Sequence, residues 1–293
     1  MLWVFDGSGR FKVNMELGLA FDDEDLESST KSKTSQPVSY NAKFCPPKWF
    51  NDADTSDKHT ASQILKYRGD HSYLNKEYAA AIEHYEESLD KLPANNKGMK
   101  RELLECQARS YVALKMYKEA LQLAYQLKDS ASSPDQHFQS WVLLAYIQED
   151  AHDWSDFEES VKQLLCFHPD SGNLWRRLGQ CYWYQYRHHS QGSPQYCQLV
   201  TCLIRSRLLY YSVRRSVGMF VAEKHKEYQK QIEEQITELN VSEEILQKAK
   251  KFLSHDMSKS EQPEGGDKSV QKKMEVKDFD KRWFSWAEDV FPT

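Results

Sequence analysis

Several things are missing from this sequence, and each absence narrows its function. No apolar run approaches the ~18 residues that a membrane-spanning helix needs. The first residues, MLWVFDGSGRFKVNMELGLAF, carry no basic cluster ahead of a continuous apolar stretch, which argues against a secretory leader. The six cysteines form no C-x-x-C pair, and a chain of 293 residues has room for a core without disulfides. They are expected to be reduced thiols, mostly small apolar side chains inside helices, in a cytoplasmic or nuclear protein. Charge of one sign is also scarce. With 39 Lys and Arg against 44 Asp and Glu, the net charge is -5, far from the basic footprint of a nucleic-acid binder.

Catalytic signatures are equally sparse. GSGR at 7–10 has neither the flanking strand and helix nor the Lys-Ser/Thr of a phosphate loop. G-x-S-x-G, H-E-x-x-H and the H-x-E with P-C-x-x-C of the zinc deaminases do not occur. Cys181, His188, His189, Cys197 and Cys202 crowd one region, but their spacing fits no zinc module, and thiols of two helices beside a polar loop explain them better. The expectation is a protein without catalytic residues, cofactor or metal.

What is present is helix. From about 61 to 253, apolar residues recur at three- and four-residue spacing, and Pro93, Gly98, Pro134, Pro169, Gly172, Gly192 and Pro194 punctuate the segments. The chain divides into a polar N-terminal tail (1–60), helical repeats (61–215), capping helices (216–253), a linker (254–277) and an amphipathic C-terminal helix (278–293). The acidic run at Asp22–Glu27 and the stretch SSTKSKTSQP bury too little apolar surface to offset ordering entropy, so much of the tail is expected to be disordered. The aromatic segment at 40–50, YNAKFCPPKWF, is too apolar for a free tail, and either packs on the body or serves as a docking segment. In the last stretch, Phe279, Trp283, Trp286, Ala287 and Val290 share a face, suited to closing the core or to docking on an outside groove.

Two stretches align as helix pairs closed by proline: ILKYRGDHSYLNKEYAAAIEHYEESLDKLP and WVLLAYIQEDAHDWSDFEESVKQLLCFHP. A single pair cannot bury its apolar face and must stack on neighbours. The first unit, 62–95, places Leu65, Gly69, Tyr78, Ala81, Tyr85, Ser88 and Pro93 at positions that resemble the tetratricopeptide pattern. The second, 101–134, follows with Leu104, Ala108, Tyr111, Tyr117, Ala120, Ala124 and Leu127, without the closing proline. The third, 138–171, carries Trp141, Leu144, Ala145, Trp154, Val161, Leu164 and Pro169, but has Phe157 where a small residue is usual. The fourth opens on Trp175, Leu178, Gly179 and Tyr182, the W-x-x-L-G-x-x-Y run of the family. The resemblance implies an all-α, right-handed helical solenoid of about four repeats, with C-terminal capping helices and partly disordered tails. The SYNAKFCPPKWF segment, CLIRSRLL at 202–209 and FDKRWF at 279–284 also resemble an uncharacterised vertebrate family designated only by an open reading frame on human chromosome eight. That likeness implies the same fold and no activity.

In tetratricopeptide arrays the first helix of each unit lines a concave groove that binds a partner's peptide or helix. Mapped onto this chain, the expected partner-binding residues are Lys66, Asp70, Tyr73, Arg109, Tyr146, Arg176, Trp183 and Tyr184. The aromatics among them are the anchors, since they bury large areas at little entropic cost. Chaperone-binding relatives of this type clamp a C-terminal carboxylate with two Asn, two Lys and an Arg. Here Lys66 fits, but Asp70 and Cys106 replace the asparagines and Gln139 and Leu143 the remaining Lys and Arg, so that mode is not expected. RSRLLYYSVRR at 205–215 leaves RNA binding as the alternative to a protein partner.

Overall fold

The computed structural model describes residues 47–57, 60–188, 194–213, 217–261 and 274–287. The chain divides into two units, Met1–Pro47 and Lys48–Thr293, and the first lies outside the described residues but for its last position. The acidic run, the first aromatic island and residues 262–273 of the expected linker also lie outside them.

Ten helices of at least 13 residues fill the described part of the second unit: α1 (Ala61–Leu74), α2 (Tyr78–Lys91), α3 (Lys97–Ala113), α4 (Tyr117–Asp129), α5 (Pro134–Asp150), α6 (Trp154–Phe167), α7 (Gly172–His188), α8 (Pro194–Ser212), α9 (Met219–Glu238) and α10 (Glu243–Glu261). A six-residue helix, α11 (Phe279–Phe284), follows between two 3-10 turns. No strand occurs among the described residues. None of these helices is long and apolar enough to cross a membrane.

The helix starts follow from local chemistry. Asn96, Ser133 and Asp153 cap α3, α5 and α6, their side-chain oxygens accepting from the backbone N–H of Met99, Gln136 and Asp156. Pro134 takes the first position of α5, where its missing N–H costs nothing. Within each of the first three pairs the turn passes through a left-handed residue that is not glycine: Lys76 (φ 65), Lys115 (φ 62) and His152 (φ 58).

Successive helices pack on one another from α1 to α8, and the first helices of neighbouring pairs also touch, α1 on α3 and α3 on α5. The pairs close tightly. A methyl group added to Gly69 would stand 2.5 Å from the Tyr85 ring, and Ala81, Ala108, Ala120 and Ala145 are wholly buried. Beyond α8 the order changes, because α9, α10 and α11 all pack on α8.

The structure moves three sequence-based boundaries. The helix expected to end at Leu253 continues to Glu261, so part of the expected linker (254–277) is helical. The segment beginning at 278 is α-helical only to Phe284 and then tightens into a 3-10 turn. The expected tail up to residue 60 is partly built onto the body. Arg68 Nε donates to the Phe50 carbonyl at 2.9 Å and Arg68 Nη2 to those of Asn51 and Ala53, while Phe50 lies 5.7 Å from the His71 ring.

Candidate functional site

Five of the eight expected partner-binding residues form one continuous patch on α1, α3 and α5. Lys66 Nζ is bridged by Asp70 (2.8 Å) and Glu102 (3.1 Å). Burial works against its charge, but the two carboxylates outweigh that and raise its pKa. Asp70 also accepts from the Tyr85 hydroxyl at 2.9 Å, which ties the patch to the tight contact at Gly69. Arg109 is held by Glu105 through both Nε and Nη2, and its guanidinium lies 5.4 Å over the Tyr146 ring. Tyr73 packs on Tyr78 at 5.4 Å; burial raises its hydroxyl pKa, with Tyr146 and Arg109 close enough to act on it in opposite directions.

The other three separate from this patch. Arg176 stacks 4.7 Å over Tyr228 of α9 and donates to Asn173. Trp183 is half-buried against the large C-terminal core, with the Arg187 guanidinium 5.1 Å over its ring. Tyr184 leans on Trp154 at 4.9 Å. Helix α9 covers part of α7 in the way a following repeat helix would, which the polar sequence from 223 to 238 did not signal.

A cleft of about 310 Å³ opens beside the patch, between the starts of α3 and α5. Glu102, Glu105, Gln136, Gln139 and Ser140 line it. Arg101 stands in its wall, held by the Leu127 carbonyl (2.8 Å), Ser130 Oγ (2.9 Å) and Ser140 Oγ (3.2 Å). The sequence reading missed Arg101, Gln136 and Ser140, because their place depends on how far α5 slides along α3. The exposed polar rim and the half-buried aromatics beside it suit recognition of another chain.

Nothing in this patch is arranged for bond making. Burial pushes the Cys106 thiol up to about 12, so it is not a nucleophile at neutral pH. The same holds for Cys181 (about 12) and Cys197 (about 11). No group of three or more metal-ligating side chains is found among the described residues.

The C-terminal segment is part of the core. Phe279 and Trp283 are fully buried, stacked 5.6 Å and 5.1 Å from Trp175, and Trp286 Nε1 donates to Thr201 Oγ1 at 3.0 Å. Trp283 lies between two guanidinium groups, Arg205 and Arg282, each 4.5 Å from its ring. Arg205, itself 1% exposed, is neutralised by Asp170 and Asp256 at 3.3 Å, and Lys162 by Glu158 and Asp280.

The class defined by these observations is an all-helical protein of consecutively packed helix pairs with a sealed aromatic C-terminal core. The chain belongs to DUF5588, a family of unknown function, whose pattern it matches over residues 15–198. It is similar to the human protein described as "Uncharacterized protein C8orf76", 30% identical over 181 residues, which is 61% of this chain and 44% of that one. The rat homologue of that protein is 29% identical over 167 residues, 57% of this chain and 45% of the relative. The chain thus spans less than half the length of these curated relatives.

Proposed function

We propose that this protein is a tetratricopeptide-type adaptor or complex subunit that binds a partner peptide or helix along the first helices of its repeats. The observation that carries the proposal is the patch of Tyr73, Arg109 and Tyr146 beside an open polar cleft, on faces that tetratricopeptide arrays use for partners. The contact of Gly69 with Tyr85 and the buried small residues at repeat positions support a right-handed solenoid of about four repeats. Lys66 is already committed to two carboxylates, one of them Asp70, and the partner is therefore not the C-terminal carboxylate of a chaperone. Catalysis is no part of the proposal, and the compartment we favour is the cytoplasm or nucleus.

The test is affinity purification with mass spectrometry, comparing wild type with a Tyr146→Ala/Glu105→Ala variant. Both positions are surface-accessible, so circular dichroism should show an unchanged fold. A stoichiometric, salt-tolerant partner lost from the variant supports the groove. Partners retained by the variant, or RNA recovered in a salt-sensitive manner instead, would overturn it.

A further inference from the structure

At the junction of α7, α8 and α9, four polar side chains meet with atoms that are buried and unsatisfied: Arg176 Nε, Tyr210 Oη, His225 Nδ1 and Gln229 Nε2. Their proximity is fixed by the rings between them. Tyr210 lies 4.7 Å from His225 and 5.4 Å from Tyr228, and the Arg176 guanidinium lies 4.7 Å over Tyr228. Gln229 follows His225 by one helical turn, which puts the two on one face of α9. Tyr210 is 4% exposed, and its ring is wedged against Gly172, where an added methyl would stand 3.2 Å away, so the hydroxyl cannot swing out to water.

The charge balance is the second observation. Its neighbours on α7 and α8 each reach a carboxylate: Arg177 to Glu149, Arg187 to Glu238, Arg205 to Asp170 and Asp256, Arg207 to Glu233. Arg176 forms no such ion pair among the described residues; its one hydrogen bond goes to the neutral Asn173 amide. Burial pushes the Tyr210 hydroxyl's pKa up and the His225 imidazole's down, and no carboxylate acts on either group. A half-buried cation without a counter-ion, surrounded by neutral groups able to donate, is costly unless an anion completes it.

We propose that this junction binds a phosphate group, with Arg176, Tyr210, His225 and Gln229 as its donors. Four donors drawn from three helices match the several acceptor oxygens of a tetrahedral anion better than the two of a carboxylate. The phosphate is either the free ion or the side chain of a phosphoserine, and the two are separable. The full chain, labelled with 15N-histidine, is titrated at constant ionic strength with inorganic phosphate and, separately, with N-acetyl-phosphoserine amide. The His225 imidazole resonances should shift saturably. Loss of a charge-assisted contact in Arg176→Gln should weaken the effect roughly tenfold or more. Tyr210→Phe, which keeps the wedged ring, should also weaken it. Response to inorganic phosphate means that the ion alone is read; response only to the capped residue means that a peptide carries it. No saturable shift with either probe overturns the site, as does a shift that persists unchanged in both folded variants.

Discussion

Gly69 stands where two helices touch, and its hydrogen atom occupies space that no side chain can. An added methyl would meet Tyr85 Cε1 at 2.5 Å and Cδ1 at 2.7 Å, and the ring cannot retreat because its hydroxyl is anchored to Asp70. Gly69→Ala should therefore lower stability by ~1–2 kcal/mol, even though alanine favours the helix by about 1 kcal/mol. Gly98 is the control: it lies in α3 with nothing near its would-be methyl, and Gly98→Ala should be neutral or stabilising by up to ~1 kcal/mol. Urea denaturation of the two variants checks both signs. Equal losses would mean that the Tyr85 contact is softer than its distances imply.

Among the elements, the 274–287 segment has the largest effect for its length. Phe279, Trp283 and Trp286 fill space among Trp175, Thr201, Arg205 and α10, and truncation would leave a void flanked by buried charges. Trp283→Ala should cost ~3–5 kcal/mol, read as a lower denaturation midpoint and a loss of near-ultraviolet dichroism. A loss under ~1 kcal/mol would show that the segment only rests on the surface. The sequence made the apolar face of this segment plain, but not its destination, because Phe279 and Trp283 suit any hydrophobic seat. Paired helices up to α8 were legible, since Pro93, Pro134 and Pro169 and the capping residues Asn96, Ser133 and Asp153 punctuate them. The break between α8 and α9 was not. Val217, Phe220 and Val221 continue the apolar spacing, yet Phe220 is 66% exposed, so periodicity there marks surface rather than core. The extension of α10 to Glu261 was hidden by composition: SHDMSKSE reads as linker, and its helical state depends on Leu253 and Asp256 packing next to Arg205. Of the candidate site, the residues were legible and their grouping was not. Lys66, Asp70, Tyr73, Arg109 and Tyr146 come together, but Arg176 turns to Tyr228 on a helix that no motif links to it.

Across the whole molecule, the core is unevenly distributed. The largest apolar cluster runs from Ala145 to Trp286 and joins α5 to α11, whereas the cluster at the other end contains only Ala81, Tyr85 and Leu103 as buried members. Where each element contacts mainly its neighbours, local opening follows local burial. Native-state hydrogen exchange should show α1 and α2 opening at the lowest free energy, and α7 and α8 protected up to the global limit. Uniform protection from α1 to α8 would mean that the pairs unfold as one unit. Proteolysis should follow the same gradient, with Arg68 holding the 48–57 stretch against α1 only while that helix is folded.

The seating of Trp283 against Trp175 also sets an order of events during synthesis. Helices α1 to α4 need only one another and can assemble as they emerge, since domains fold from the N-terminal side as the chain grows at roughly 5–20 residues per second. The second half cannot. Trp175, Tyr182 and the buried Arg205 must wait for residues more than seventy positions downstream, so for several seconds the nascent chain carries an open aromatic cavity with a charge inside it. In that interval this half of the protein is a natural client for a chaperone, and the arrival of Phe279 and Trp283 ends the need for one.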